Sequence, residues 1–272
     1  MKKMKVAALG DNCVDIYPRL GRYYCTGNVV DFAVHMQRLG IPTSVISTTG
    51  DDVFGRQLVQ ELKMEDIDTS HLKVAPGLTA VSYMDLIDRE RTYGDYVEGV
   101  MENVEFDAED IRFVCDHDLV HTAIWGNATE HLPQIHESGT KISFDYADEL
   151  TDPLVEQTIP YVDYAFFSFV EHTAETEEYL KDKVRRGAKT AVATFGDKGS
   201  LAWDGEQFHS FGVFPTTVEN TVGAGDSFIA GFMNGVLRGW SVEKCMEQGA
   251  AVSAQVVSIF DPLERRPMQV AD

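Results

Sequence analysis

Apolar residues recur along this chain with a helical period and a strand period in turn. In VVDFAVHMQRLG, Val29, Val30, Phe32, Ala33, Met36 and Leu39 fall on one helical face, and Gly40 supplies a stop. A β-rich run from Thr43 to Thr48 follows, ended by Gly50, and a second helical pattern extends from about Phe54 to Lys63. The later chain repeats the alternation. Strands are predicted in DLVHTAIW, TKISFDY, YVDYAFFS and KTAVATF, with helices around Ala128 to Glu137 and from about Glu171 to Arg186. These strands are apolar at nearly every position, as is Val6 to Leu9 near the start, which suits a parallel sheet buried on both faces. The pattern predicts an α/β protein with a mostly parallel central sheet flanked by helices.

The alternation fails once. From Leu78 to about Glu98, LTAVSYMDLIDRERTYGDYVE carries two β-rich runs joined by a charged turn, without an intervening helix. With Asp15 to Cys25 this hairpin would form a small sheet projecting as a lid. No repeat, low-complexity tract or linker interrupts the remainder, so residues 1–272 read as one domain with a lid from about 15–25 and 78–98.

Charge narrows the partners. The chain has 23 basic and 44 acidic residues, a formal net charge of −21. Such a surface repels nucleic acid and anionic membranes and tolerates small cationic molecules. No apolar run approaches the roughly 18 residues of a membrane helix, and Gly10 and Asp11 cut short the one segment that imitates a signal peptide. Cys13, Cys25, Cys115 and Cys245 lie far apart with no C-x-x-C pair, and read as reduced thiols of a cytoplasmic protein. His117 and His121 lack metal-ligand spacing and read as core or surface residues, and YVDYAFFSF reads as strand core.

The candidate chemistry lies in ENTVGAGDSF, Glu219 to Phe228. Gly223 and Gly225 permit a tight turn, and Phe228, Ile229, Phe232, Met233, Val236 and Leu237 then form a helical apolar stripe. The turn therefore sits at a helix N-terminus, where free N–H groups and the helix dipole favour an anion. The lysine of a Walker A loop is absent. By themselves these residues leave open whether Asp226 caps the helix or acts as a base.

Five stretches, in order, resemble the signatures of the ribokinase, or PfkB-type, family of carbohydrate kinases. They are GDNCVDIYP, TGNVVDFAVHMQRLG, GDDVFG, TFGDKGS and NTVGAGDSF, which together span nearly the whole chain. The resemblance implies a ribokinase-like fold, ATP as phosphoryl donor, Mg2+ and a sugar acceptor. It implies Asp226 as general base and Gly223, Ala224 and Gly225 as an anion hole. Asp15, Gly27, Asn28 and Asp31 match the family's sugar contacts, and Thr194, Gly196 and Gly199, with Ser168, its ATP contacts. Within the family, GDNCVDIYP, YGDYVEGVM, HTAIWG and GDSFIAGF resemble kinases of fructosyl-amines. That subgroup implies transfer to the 6-hydroxyl of fructoselysine or a similar sugar-amine. KCMEQGAAVSAQVVSIF matches the region flanking adenine, where Gly249, Ala250, Ala251 and Ser253 would admit a base or pack helices closely.

Departures from the family pattern refine these expectations. Thr26 stands where the first glycine of a pair is usual, and Asp31 replaces the usual asparagine. A carboxylate only accepts hydrogen bonds, so Asp31 is expected to favour a protonated amine on the substrate. In SFVE, Ser168 and Glu171 occupy an Asn-x-x-Glu pattern, and Glu171 is expected to order Mg2+ through water. Asn220 replaces an aspartate that helps hold a monovalent cation, so this cation is the family trait the sequence supports least. On the lid, Asp95 and Glu98 would meet the lysyl end of fructoselysine, and Arg89 and Arg91 its α-carboxylate. The same arginines suit 2-keto-3-deoxygluconate, and fructose or ribose are further acceptors to weigh. A non-catalytic sugar- or nucleotide-binding regulator is the reading from another class. β-rich lids with free edges also lead to the expectation of a homodimer. The closing ERRPMQVAD carries no pattern and is expected to be disordered.

Overall fold

The computed structural model describes residues 4–87, 90–263 and 268–269. β1 (Val6–Leu9) leads into an excursion, β2 (Cys13–Tyr17) and β3 (Arg22–Thr26), before α1 (Asn28–Arg38) returns the chain to β4 (Thr43–Gly50). After α2 (Val53–Met64) and β5 (Leu72–Ala75) comes a second excursion, the hairpin β6 (Val81–Ile87) and β7 (Glu90–Val97). Regular alternation resumes with α3 (Ala108–Cys115), β8 (Leu119–Ala123), α4 (Leu132–Ser138), β9 (Lys141–Asp145), α5 (Pro153–Thr158), β10 (Tyr164–Ser168) and α6 (Ala174–Arg186). The chain then forms β11 (Thr190–Thr194), β12 (Ser200–Trp203), β13 (Phe208–Phe211), α7 (Ala224–Leu237), α8 (Val242–Val256) and β14 (Met268–Gln269).

The large sheet has the order β13-β12-β11-β10-β9-β8-β1-β4-β5. Its pairs are parallel from β11 to β5, and only β12 and β13 run antiparallel. Alternate residues of β1 enter different cores. Val6 and Ala8 join Phe32, Phe232 and Met246 under α1, α7 and α8, whereas Ala7 and Leu9 join Ile111, Leu132 and Leu180 under α3, α4 and α6. Burial on both faces is what the near-continuous apolar strands require.

The second sheet has the order β14-β3-β2-β6-β7 and takes in both segments read as a lid. The register slips between Ser82 and Met84, so Gly94 and Asp95 together face Tyr83 in a bulge. Element boundaries differ from the expected ones where local chemistry intervenes. α4 starts at Leu132 after a 3-10 turn, because Pro133 fixes the first turn and offers no N–H. α6 starts at Ala174 because the Thr173 hydroxyl caps it, which leaves Glu171 in the preceding loop.

Candidate active site

Two helix starts face each other at the centre of the molecule. The first belongs to α1, whose N-cap Gly27 has φ 131° and no capping side chain. Asp11, just beyond β1, supplies the cap, since its Oδ2 accepts from the Asn28 N–H at 2.9 Å. A Cβ on Gly27 would lie 2.8 Å from the Asn12 Cα, so this approach needs glycine. The second start belongs to α7, whose N-cap Gly223 is left-handed with φ 72°. A Cβ there would lie 2.6 Å from the Pro262 Cβ and 3.1 Å from Asp31 Oδ2.

Side chains join the two helices. Asn28 Nδ2 donates to Asp226 Oδ1 at 3.0 Å, linking residues 198 positions apart. Asp31 lies one turn beyond Asn28 on the same face of α1, against Gly223. It is 1% exposed, and its Oδ2 accepts from the Thr26 hydroxyl at 2.9 Å. Burial, and then the negative charge of Asp226, push its carboxyl well above the usual carboxylate range. An open carboxylate awaiting a cationic amine is therefore a poor description of Asp31. The side chain is buried beneath the turn, in a surrounding that disfavours its charge.

Asp15 is buried on β2 opposite Tyr24, and its Oδ1 accepts from the Cys13 thiol at 3.8 Å. Over this region lies the end of β7. Burial and the neighbouring Cys13, Asp11 and Glu98 all raise the Tyr96 phenol, which places the lid tyrosine close to the body residues beside Gly27. Glu98, directly after β7, and Asp95, in the bulge, are both exposed. Arg89 lies outside the described residues, and Arg91 is described only by its strand pairing with Leu86.

A cavity of about 380 Å³ runs from the β11–β12 turn to the start of α7. Thr194, Gly196 and Gly199 line one side, Ala224, Gly225 and Phe228 a second, and Ala250, Ser253, Ala254 and Val257 of the α8 region a third. Thus the loop and the anion turn, 30 residues apart in sequence, share one space. Gly199 has φ 93°, and its missing Cβ would meet the Phe211 carbonyl at 2.3 Å, so glycine is needed to close the turn. Ser168 is exposed beside Thr194 at the strand ends, outside the cavity lining. Gly249 does not line it either, because its backbone packs on the Phe228 carbonyl of α7.

The metal expectation concerns Glu171, which is 67% exposed at its side chain and lies 3.6 Å from Lys198 Nζ. Among the described residues no group of three or more His, Cys, Asp or Glu side chains could hold an ion. This donor set fits an ion carried mainly by nucleotide phosphates and water, with Glu171 reaching it only through water. At the other end of the motif, Asn220 is buried and donates from Nδ2 to the Phe260 carbonyl at 2.8 Å and to the Tyr24 hydroxyl at 3.4 Å. His121 stacks on Phe32 and meets Ser143, and burial lowers its imidazole to about 3, so it is a neutral core residue.

Sequence reasoning passed over Asp11, Val213, Phe214 and Val257. Asp11 stood in the quoted GDNCVDIYP, one residue past Gly10 at the mouth of a parallel strand, which is the signal that could have found it. The other three belong to stretches with no local chemical pattern.

Comparison with known proteins agrees with this geometry. The fructoselysine 6-kinase of Shigella flexneri is 41% identical over 252 residues, covering 93% of this chain and 97% of that enzyme. The solved structure of Arabidopsis thaliana ribokinase with ribose and ATP superposes with a TM-score of 0.83 at 17% identity, over 96% of this chain and 94% of the other. A putative ribokinase II from E. coli, solved with ATP and Mg2+, superposes with a TM-score of 0.81 at 19% identity, over 96% and 95%. Both structures share the ribokinase-like fold, and no helix among the described residues is long and apolar enough to cross a membrane. Residues 22–262 match the profile of the pfkB family carbohydrate kinases. The chain belongs to the pfkB family of carbohydrate kinases, and is an ATP-dependent sugar kinase.

Proposed function

We propose that this kinase transfers the γ-phosphoryl group of ATP to the 6-hydroxyl of fructoselysine or a similar fructosyl-amine, with Asp226 as general base. The observation that carries this reading is the bond from Asn28 to Asp226. It holds a carboxylate at the mouth of the helix whose first residues line the cavity. In the reaction the acceptor hydroxyl gives its proton to Asp226 as its oxygen attacks the γ-phosphorus, and the bond to the bridging oxygen breaks to leave ADP. The free N–H groups around Ala224, Gly225 and Asp226 steady the charge on the group in flight. Mg2+ bound with ATP screens the phosphate charge.

The apolar walls of Phe228, Ala250 and Val257 suit the adenine, with Thr194, Gly196 and Gly199 along the phosphates. Gly27, Asn28 and Asp15 would meet the sugar hydroxyls, and Glu98 on the lid the cationic end of the amine. The likeness to a fructoselysine 6-kinase supports that acceptor class.

The test is ADP release measured with fructoselysine, its C3 epimer, fructose, ribose and 2-keto-3-deoxygluconate. Highest kcat/KM on a fructosyl-amine is expected. A preference for the keto acid would replace the substrate assignment, and no turnover on any sugar would make the protein a binding regulator. Asp226→Asn is expected to lower kcat at least a hundredfold, since general base catalysis contributes about 10²–10⁴. ATP affinity by calorimetry should stay close to that of the parent.

A further inference from the structure

Asp31 combines features that the reaction as described does not use. Its Oδ1 is buried with no hydrogen-bond partner among the described residues, whereas its Oδ2 is held by the Thr26 hydroxyl. Every titratable group found to act on it from the surrounding elements is acidic. Asp226 faces it from α7, Asp15 from β2, and Asp261 from the segment after α8. Cys13 and Tyr24 also lie within its influence. No lysine, arginine or histidine pairs with it among the described residues. An ionised carboxylate in such a place would be a buried charge with one donor and several like charges around it, a costly arrangement.

A neutral acid suits the same geometry. With the proton on Oδ1, Oδ2 remains a carbonyl oxygen and accepts from Thr26, as observed. Oδ1 then becomes a donor that lacks an acceptor until something enters the site. Asn28 and Asp31 share one face of α1, and that face looks onto Gly223 and Asp226, where the acceptor sugar must lie. We propose that Asp31 works as a neutral carboxylic acid, fixed by Thr26, which donates a hydrogen bond from Oδ1 to a hydroxyl oxygen of the sugar beside Asp226. This assignment rests on the sugar-kinase reading above.

Thr26 then acts through Asp31 and is a positioning residue. Asp31 selects acceptors by offering a proton, and loses that ability when it ionises at high pH. Because its carboxyl is held above the normal range, the neutral form persists through neutral pH and is lost only as pH rises through the raised value.

Two measurements test this. The first is the pH profile of kcat/KM for the best acceptor. Asp31→Asn keeps a neutral donor at the same place. It is expected to stay within about tenfold of the parent, the scale of a modest hydrogen-bond change, and to lose the alkaline limb that Asp31 causes. Asp31→Leu has no donor and is expected to lose on the order of tenfold to a hundredfold. An alkaline limb that survives in Asp31→Asn, or a loss in that variant as deep as in Asp31→Leu, overturns the proposal. The second measurement needs neither substrate nor activity. A carboxylic-acid carbonyl band in the infrared spectrum at neutral pH, present in the parent and missing in Asp31→Asn, is the expected result. Its absence from the parent overturns the neutral Asp31 alone. The band together with no turnover on any sugar overturns the kinase reading, and with it the role given to Oδ1.

Discussion

Asn220 directs amide protons at the Phe260 carbonyl, an oxygen that a bound potassium ion would need for itself. Replacing potassium by tetramethylammonium at constant ionic strength is therefore expected to leave kcat within about twofold, the scale of a perturbation below 0.5 kcal/mol. A tenfold drop would show that other oxygens hold the ion. Gly223 makes a sharper case. Alanine there would force a side-chain residue to φ 72° and push its Cβ into Pro262 and Asp31. Gly223→Ala is expected to cost on the order of 2 kcal/mol in a thermal melt, combining left-handed strain with a clash. Its kcat should fall as well, because the displaced turn carries Asp226. Gly223 and Asp226 were legible in the sequence because the turn, the helix and the carboxylate are consecutive. The cap from Asp11 and the bond from Thr26 to Asp31 were not, because each depends on how two segments approach. The charge reading of Asp31 failed for the same reason: local sequence shows a carboxylate, and only the packing shows Asp226 beside it.

At the scale of elements, α7 and α8 pack backbone to backbone. A Cβ on Gly249 would sit 2.8 Å from the Phe228 carbonyl, and one on Gly231 2.7 Å from that of Gln248. Gly249→Val is expected to prise the helices apart, lower the melting temperature and weaken ATP binding, because Ala250 and Ser253 on the same helix line the cavity. Unchanged ATP affinity in a destabilised variant would separate the packing of α8 from its role in the site. A different tie joins α8 to the β12–β13 hairpin. His209 bridges Asp204 at 2.6 Å and Glu243 at 2.5 Å. Burial alone would lower its imidazole, but the two carboxylates outweigh that and hold it above its ordinary value. The stabilisation is thus complete below about pH 6.5, the unfolded value, and is lost as pH rises through the raised folded value. The gap in melting temperature between the parent and His209→Gln should be widest in mild acid and narrow with increasing pH. Periodicity exposed α1 and α7 because their apolar faces are wide, whereas α3 buries only Asp110, Ile111 and Val114 and leaves too short a pattern to read.

For the molecule as a whole, a net charge of −21 creates a field that acts before any contact forms. If the acceptor is a fructosyl-amine with a positive end, its kcat/KM is expected to fall as salt rises from low ionic strength toward about 0.5 M, while that for neutral fructose stays flat. Equal salt dependence for both would remove the field from substrate capture. The fold class was legible because strand and helix periods alternate along the main body. The two-sheet division was visible only as an interruption of that rhythm, and its bulge at Gly94 and Asp95 arises from strand pairing that no single segment records.

The hydrogen bond between Asn28 and Asp226 also bears on how the chain folds. Contacts this far apart in sequence form slowly, after local helices and neighbouring strands have gathered. During refolding from denaturant, helical signal should therefore return before turnover, and the first detectable ADP would mark the moment at which the two distant parts of the chain have met.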